Sequence, residues 1–176
     1  MLKNIFQKLD LMSQSKRYWL SIVFSGLALL LAALFFQFYL EELPCVLCIQ
    51  VRLWITLLVL VASFGLIDNK HKRLVLAAHV SIVLVATALI ERSYQLLGTE
   101  RGFVFGDCGF SLGLPSWFAI EEWLPWLYRV ETSCGYTPEI MFGVTMAEVL
   151  MVFSICLFLF SFSIFVSALV AKLKNS

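Results

Sequence analysis

The sequence predicts an all-α, polytopic membrane protein: a four-transmembrane-helix bundle with a short interfacial helix in its second outer loop. Three observations carry that expectation. The 176-residue chain is 61% hydrophobic with a mean hydropathy of +0.90, and only 14% of it is charged, against about 25% in an ordinary soluble domain. Its apolar residues collect into four runs, each of about the ~20 residues that a helix needs to cross the hydrocarbon core. Its cations divide nine to two between alternating connecting segments. A net charge of +1 gives no basic balance that would suggest nucleic acid. The length accommodates a single membrane domain over residues 1–176.

Each element follows from the runs and their borders. The first seventeen residues are polar and basic, with Leu2, Ile5, Phe6, Leu9 and Met12 at helical spacing, so a short helix lying on the membrane surface is expected. The run 18–40 is too long for a signal-peptide core and lacks a small-residue cleavage site, which reads as an uncleaved anchor. Glu41 to Pro44 make a very short turn. The second span covers 45–67 and stops at the polar cluster 68–73. The third covers 74–97, an outer loop occupies 98–142, and the last span covers 143–170 ahead of a Lys-rich tail.

Orientation follows from the tendency of cations to remain on the cytoplasmic side. Lys3, Lys8, Lys16, Arg17, Lys70, Lys72, Arg73, Lys172 and Lys174 fall on one side, while the opposite loops hold Arg101 and Arg129. Both termini are therefore expected to be cytoplasmic. Cys45, Cys48, Cys108 and Cys134 then share the outer side, and Cys156 stands alone in the middle of the last span, where it reads as a buried small apolar residue.

The chemistry centres on Pro44-Cys45-Val46-Leu47-Cys48-Ile49-Gln50-Val51-Arg52. Proline is poor inside a helix and good at its start, so a helix should begin at or just inside Cys45. Residues three and four apart then share a face, which puts Cys45, Cys48 and Arg52 on one stripe. A helix N-terminus and a nearby guanidinium both favour thiolate over thiol. The competing reading is a pair of buried cysteines acting as small apolar residues.

Sidedness sets the redox argument, because disulfides persist in oxidising compartments. Four outer cysteines read as two disulfides. Three connectivities are possible, and the adjacency of Cys45 and Cys48 in one motif leaves Cys108 with Cys134. A zinc site from all four would normally use two close pairs, whereas Cys108 and Cys134 lie 26 residues apart, so no metal is expected. A purely structural loop disulfide, stabilising by ~3–4 kcal/mol, is a stronger competitor, but it leaves the Cys45/Cys48 pair unexplained. Between the two loop cysteines, Trp117, Ile120, Trp123, Leu124 and Leu127 share one face of a possible helix over 116–129, with Glu122 and Arg129 opposite. Such a helix suits the bilayer interface, with Pro125 ending or kinking it; packing on the protein itself is the alternative.

These residues resemble the disulfide bond formation protein B (DsbB) family of bacterial inner-membrane thiol oxidases. The resemblance rests on Pro44-Cys45-Val46-Leu47-Cys48 with Arg52, on Cys108-Gly109, on the Leu114-Pro115-x-Trp117 to Trp123-Leu124-Pro125 segment, on Cys134, and on Phe142-Gly143-Val144-Thr145-Met146. It runs from the first span to the last. Two departures are visible: no histidine occurs between Arg92 and Cys134, where some members carry one, and Gly98 to Asp107 is short for the family.

The resemblance implies a relay. A reduced DsbA-like, thioredoxin-fold periplasmic protein would attack the Cys108–Cys134 disulfide at Cys108, with Cys134 departing. Exchange would pass the electrons to Cys45–Cys48, and Cys48 would hand them to a membrane quinone, ubiquinone or menaquinone. Arg52 would polarise a quinone carbonyl, Met146 would line the quinone pocket, and Gln95 could hydrogen-bond the quinone or cap the bundle. Two other readings stay open. One is a relative dedicated to a single DsbA-like partner. The other is a non-catalytic four-span protein whose disulfide stiffens a loop.

Overall fold

The computed structural model describes residues 15–67, 71–104, 109, 111–115, 117–141 and 143–174. The expected surface helix over the first seventeen residues falls almost wholly outside these, and Cys108, Phe142 and residues 68–70 of the polar cluster lie outside them too. Four long helices dominate: α1 (Lys16–Tyr39), α2 (Val46–Ile67), α3 (Lys72–Glu100) and α6 (Met146–Lys174). Between α3 and α6 lie two four-residue turns, α4 (Ile120–Trp123) and α5 (Pro125–Tyr128), and a small antiparallel pair, β1 (Glu139–Met141) and β2 (Val144–Thr145). Each long helix contains a segment long and apolar enough to cross a membrane. Phe24, Leu31, Phe64 and Val152 stand exposed on the outside of the bundle, a surface that suits lipid and not water.

Local chemistry sets where each helix starts and stops. Ser15 caps α1 by accepting from the Arg17 N–H at 3.3 Å, so the helix opens two residues before the apolar run. It closes through Glu41, whose φ of 56° is a left-handed conformation more often given to glycine, and the Glu42 N–H turns back to the Phe36 carbonyl. The last helix begins at Met146, three residues later than the sequence alone suggested, because Val144–Thr145 pairs with Glu139–Met141 instead. Gly143 takes the turn between them at φ 78°. Thr145 and Glu148 form a reciprocal capping box: the Thr145 N–H donates to Glu148 Oε2 at 3.1 Å and the Glu148 N–H to Thr145 Oγ1 at 3.4 Å. Arg101 at the end of α3 pairs with the same carboxylate.

The chain neighbours pack in order, α1 on α2 and α2 on α3, with α6 closing against α3. A buried Ser93–Ser154 hydroxyl contact of 3.2 Å crosses the α3–α6 seam. At the bundle end remote from the cysteines, Trp19 is fully buried, with its ring 4.8 Å from His79 and 5.1 Å from Tyr18. The ring sits on Gly65, where an added Cβ would stand 2.5 Å from two Trp19 carbons. Alanine gains up to about 1 kcal/mol of helix propensity over glycine, but overpacking costs about 1–3 kcal/mol, so the clash wins. Gly65→Ala is expected to lower the thermal unfolding midpoint in detergent; an unchanged or higher midpoint would show that the indole shifts freely.

Cys156 departs from expectation. It lies on the exposed, outward face of α6 and is not a buried packing residue. The loop helix also differs: residues 117–119 are not helical, and the chain breaks at Leu124 (φ −133°, ψ 63°). Pro125 then opens α5, its missing N–H harmless at the first helical position. One expected helix is thus two separate turns.

Candidate active site

Cys45 is the residue immediately before α2, and it caps the helix. Its carbonyl accepts the first helical bond, from Ile49 N–H at 3.0 Å, and its sulfur accepts from the Cys48 N–H at 3.4 Å. A sulfur therefore occupies the place that a serine or aspartate oxygen usually fills, at the positive end of the helix. Cys45 is buried, and its sulfur lies 2.8 Å from that of Cys48.

The outer loop comes back to this helix start. The N–H groups of Glu131 and Thr132 donate to the Pro44 carbonyl at 3.0 and 3.4 Å, and Thr132 bridges Cys45 in parallel. Two residues further on, the Cys134 thiol comes within hydrogen-bonding reach of the Cys45 sulfur. Cys45 consequently has both Cys134 and Cys48 for neighbours. The position of Cys108 is outside the described residues. The limb that follows it is tied at Leu112, which is buried and whose carbonyl accepts from Gln50 Nε2 at 3.4 Å.

Cys48 lines an apolar cavity of about 140 Å³. Its walls come from α1 (Leu30, Ala33, Phe36), α2 (Val51, Arg52, Ile55), Leu96 of α3 and Met146, Val149 and Leu150 of α6. Tyr136, Thr137 and Pro138 of the returning loop border it, with Glu42 and Pro44. A cavity of roughly 150 Å³ with apolar walls admits a benzene ring in a well-characterised engineered case, so the volume here is of the order of a single six-membered ring. Tyr136 donates to Glu42 at 3.4 Å, and the neighbouring Glu42 carboxylate raises the phenol pKa.

Arg52 is 6% exposed and stands in the wall of this cavity. Its Nη1 donates to Gln37 Oε1 and to the Leu127 carbonyl at 3.2 Å, and its Nη2 to the Ala33 carbonyl at 3.2 Å. These three partners are neutral. A guanidinium carries five N–H donors, so with three engaged among the described residues, two can turn to a ligand. A buried cation with neutral hydrogen-bond partners favours an electron-rich or anionic neighbour.

The structure thus brings Cys45, Cys48, Arg52, Cys134 and Met146 together. It does not bring Gln95 in. Gln95 Oε1 accepts from Arg92 Nη1 at 3.1 Å and its Nε2 donates to Glu91 Oε1 at 3.3 Å, so both ends of the amide serve its own helix. Leu96, its neighbour, reaches the cavity instead. The residue that sequence reasoning passed over is Gln37, a lone amide in an apolar span, and that rarity was itself the available signal.

The family profile for Disulfide bond formation protein DsbB matches residues 15–164. The chain is 29% identical over 172 residues to Disulfide bond formation protein B of Psychromonas ingrahamii, covering 95% of this chain and 90% of that protein. It is 29% identical over 134 residues to Disulfide bond formation protein B of Shewanella frigidimarina, covering 76% and 79%. To Disulfide bond formation protein B 2 of Pseudomonas aeruginosa it is 27% identical over 148 residues, covering 83% and 85%. With four apolar helices, a thiol pair capping the second of them, and a profile match over most of its length, the chain belongs to the DsbB family.

Proposed function

We propose that this chain is a thiol oxidase of the bacterial inner membrane, a protein-dithiol:quinone oxidoreductase that reoxidises a DsbA-like periplasmic protein and so sustains disulfide formation. We read residues 1–176 as one membrane domain, with both termini cytoplasmic and the four outer cysteines periplasmic. The observation that carries the reading is the line of sulfurs. Cys134 stands beside Cys45, Cys45 beside Cys48, and Cys48 opens to an apolar cavity whose wall bears a buried guanidinium.

The chemistry of the chain's own residues follows from thiol–disulfide exchange, in which a thiolate attacks one sulfur and expels the other. The partner thiolate attacks Cys108; the Cys108–Cys134 bond breaks and Cys134 leaves with the electron pair. Cys134, already beside Cys45, attacks that sulfur in the oxidised Cys45–Cys48 pair and expels Cys48 as thiolate. The second partner thiol then resolves the mixed disulfide at Cys108. Cys108, freed as thiolate, attacks Cys134 in the Cys45–Cys134 bond, which re-forms the loop disulfide and expels Cys45. The two electrons then rest on the Cys45/Cys48 dithiol, and two protons are released from the partner dithiol. Cys48, Arg52 and Met146 are the residues that would hold a quinone ring: Met146 and the aliphatic walls by packing, Arg52 through its remaining N–H donors. When bound there, a quinone supplies a two-electron acceptor. Arg52 also offsets the negative charge left on Cys48 in a region that excludes water, where an unpaired anion is costly.

The test is to purify the protein with ubiquinone or menaquinone and a reduced DsbA-like partner, following quinone absorbance and partner thiols together. One quinone consumed per partner disulfide formed is expected; no quinone loss overturns the proposal. Orientation has its own measurement. A periplasm-active reporter fused after Arg101 is expected to give signal and one after Lys72 none, and the reverse pattern would overturn both sidedness and the oxidase reading.

A further inference from the structure

We infer that Tyr128 is a positioning residue, whose hydroxyl holds the returning loop so that Cys134 is presented to Cys45. Its ring is 2% exposed, on α5, and its hydroxyl lies 2.8 Å from Thr56 Oγ1 on α2. Thr56 Oγ1 also lies 2.9 Å from the Arg52 carbonyl, which can only accept. A threonine hydroxyl has one proton, so Thr56 gives it to Arg52 and Tyr128 must donate to Thr56. The result is a directed chain, Tyr128 to Thr56 to the Arg52 carbonyl. One residue earlier, the Leu127 carbonyl accepts from the Arg52 guanidinium at 3.2 Å.

The segment 127–132 is therefore a strap fixed at both ends. Leu127 and Tyr128 are tied to the second and third turns of α2, and Glu131 and Thr132 to the Pro44 carbonyl just before it. Cys134 lies two residues beyond the second tie. A strap tied only at Pro44 could pivot about that carbonyl, and Cys134 would sweep away from Cys45. With both ties made, its position is set by two points more than two helical turns apart along α2. The tie through Tyr128 is the more informative one, because it is a side-chain contact that can be removed without touching backbone, sulfur or guanidinium.

This inference takes its use from the relay proposed above, so the test separates position from turnover. In the full-length chain carrying Cys48→Ser and Cys108→Ser, the azo oxidant diamide joins Cys45 to Cys134. The two thiols lose two protons and two electrons, and the N=N bond is reduced to the hydrazine. Tyr128→Phe keeps the ring and is expected to slow this cross-link by about fivefold, the effect of one net hydrogen bond. Thr56→Val should slow it similarly, while Thr56→Ser, which keeps the hydroxyl, should match the parent. In turnover, Tyr128→Phe should lower the rate of transfer to the helix pair and leave the quinone KM unchanged, a split that a packing role would not produce.

A cross-link rate unchanged by Tyr128→Phe overturns the inference whether or not the protein reduces quinone. A slowed cross-link in a chain without quinone turnover removes the relay and keeps the positioning. If Tyr128→Phe exposes the buried Cys45 to a bulky maleimide, the fold has loosened. The Thr56→Ser and Thr56→Val pair then decides, equal rates for the two refuting the tie.

Discussion

Cys48→Ser is expected to abolish quinone reduction, by roughly a thousandfold or more in single turnover, as loss of a reacting nucleophile does. The magnitude follows from where the sulfur lies. Cys48 is the one cysteine lining the apolar cavity among the described residues, and Cys45 faces the loop instead. Serine fills the same space, but its hydroxyl neither ionises in this range nor forms a disulfide with Cys45. The Cys108–Cys134 pair should still accept one round of electrons from the partner, because its disulfide does not depend on Cys48. Cys134→Ser should fail at a different point: Cys108 is left as a lone thiol that a reduced partner cannot reduce. A covalent adduct forms only with the oxidised partner, whose disulfide the Cys108 thiolate attacks with expulsion of the partner's second thiolate. Non-reducing gels separate the two outcomes, and quinone absorbance over one turnover gives the rate. Normal quinone reduction by Cys48→Ser would sink the relay outright.

The parts of this molecule legible in the sequence are those fixed by chain length and local chemistry. Four spans follow from run length alone, and Pro44 before Cys45 announces the start of α2. The motif spacing brings Cys48 and Arg52 to one cavity because both lie on α2, four residues apart. What the sequence hides is set by contacts distant along the chain. Nothing near Cys134 predicts that it lies against Cys45; that follows from backbone bonds between Glu131, Thr132 and the Pro44 carbonyl. The lipid-facing position of Cys156 was equally hidden, since α6 is apolar on every side and gives no stripe from which to read its inner face. Gln95 shows how local partners decide between readings. Its place at the outer end of α3 suggested a ligand contact, but Glu91 and Arg92, one turn away, satisfy it first. The loop helix broke where Leu124 meets Pro125, since a residue before proline is driven out of the helical region.

Arg52→Ala is expected to raise the apparent KM for quinone by about ten- to a hundredfold while leaving every sulfur in place. A charge-assisted hydrogen bond contributes about 1.5–3 kcal/mol, and a contact made equally to bound substrate and transition state appears in KM and not in kcat. The structure adds a second consequence. The same guanidinium joins Ala33 and Gln37 of α1 to the Leu127 carbonyl of the loop, so its loss also unties three elements. The thermal midpoint should fall, and the cross-link between Cys45 and Cys134 should slow. Arg52→Lys distinguishes charge from geometry. An ammonium keeps the cation but lacks the planar fork that meets three acceptors at once, so the quinone KM should recover in part and the cross-link rate little. Gln37→Leu should act more weakly than either, because the arginine keeps its two carbonyl partners. These variants are compared by quinone titration of the initial rate with the partner saturating, beside thermal unfolding in detergent. If Arg52→Ala leaves the quinone KM unchanged and lowers only stability, the guanidinium is a strut between helices and the cavity has another means of binding its ring.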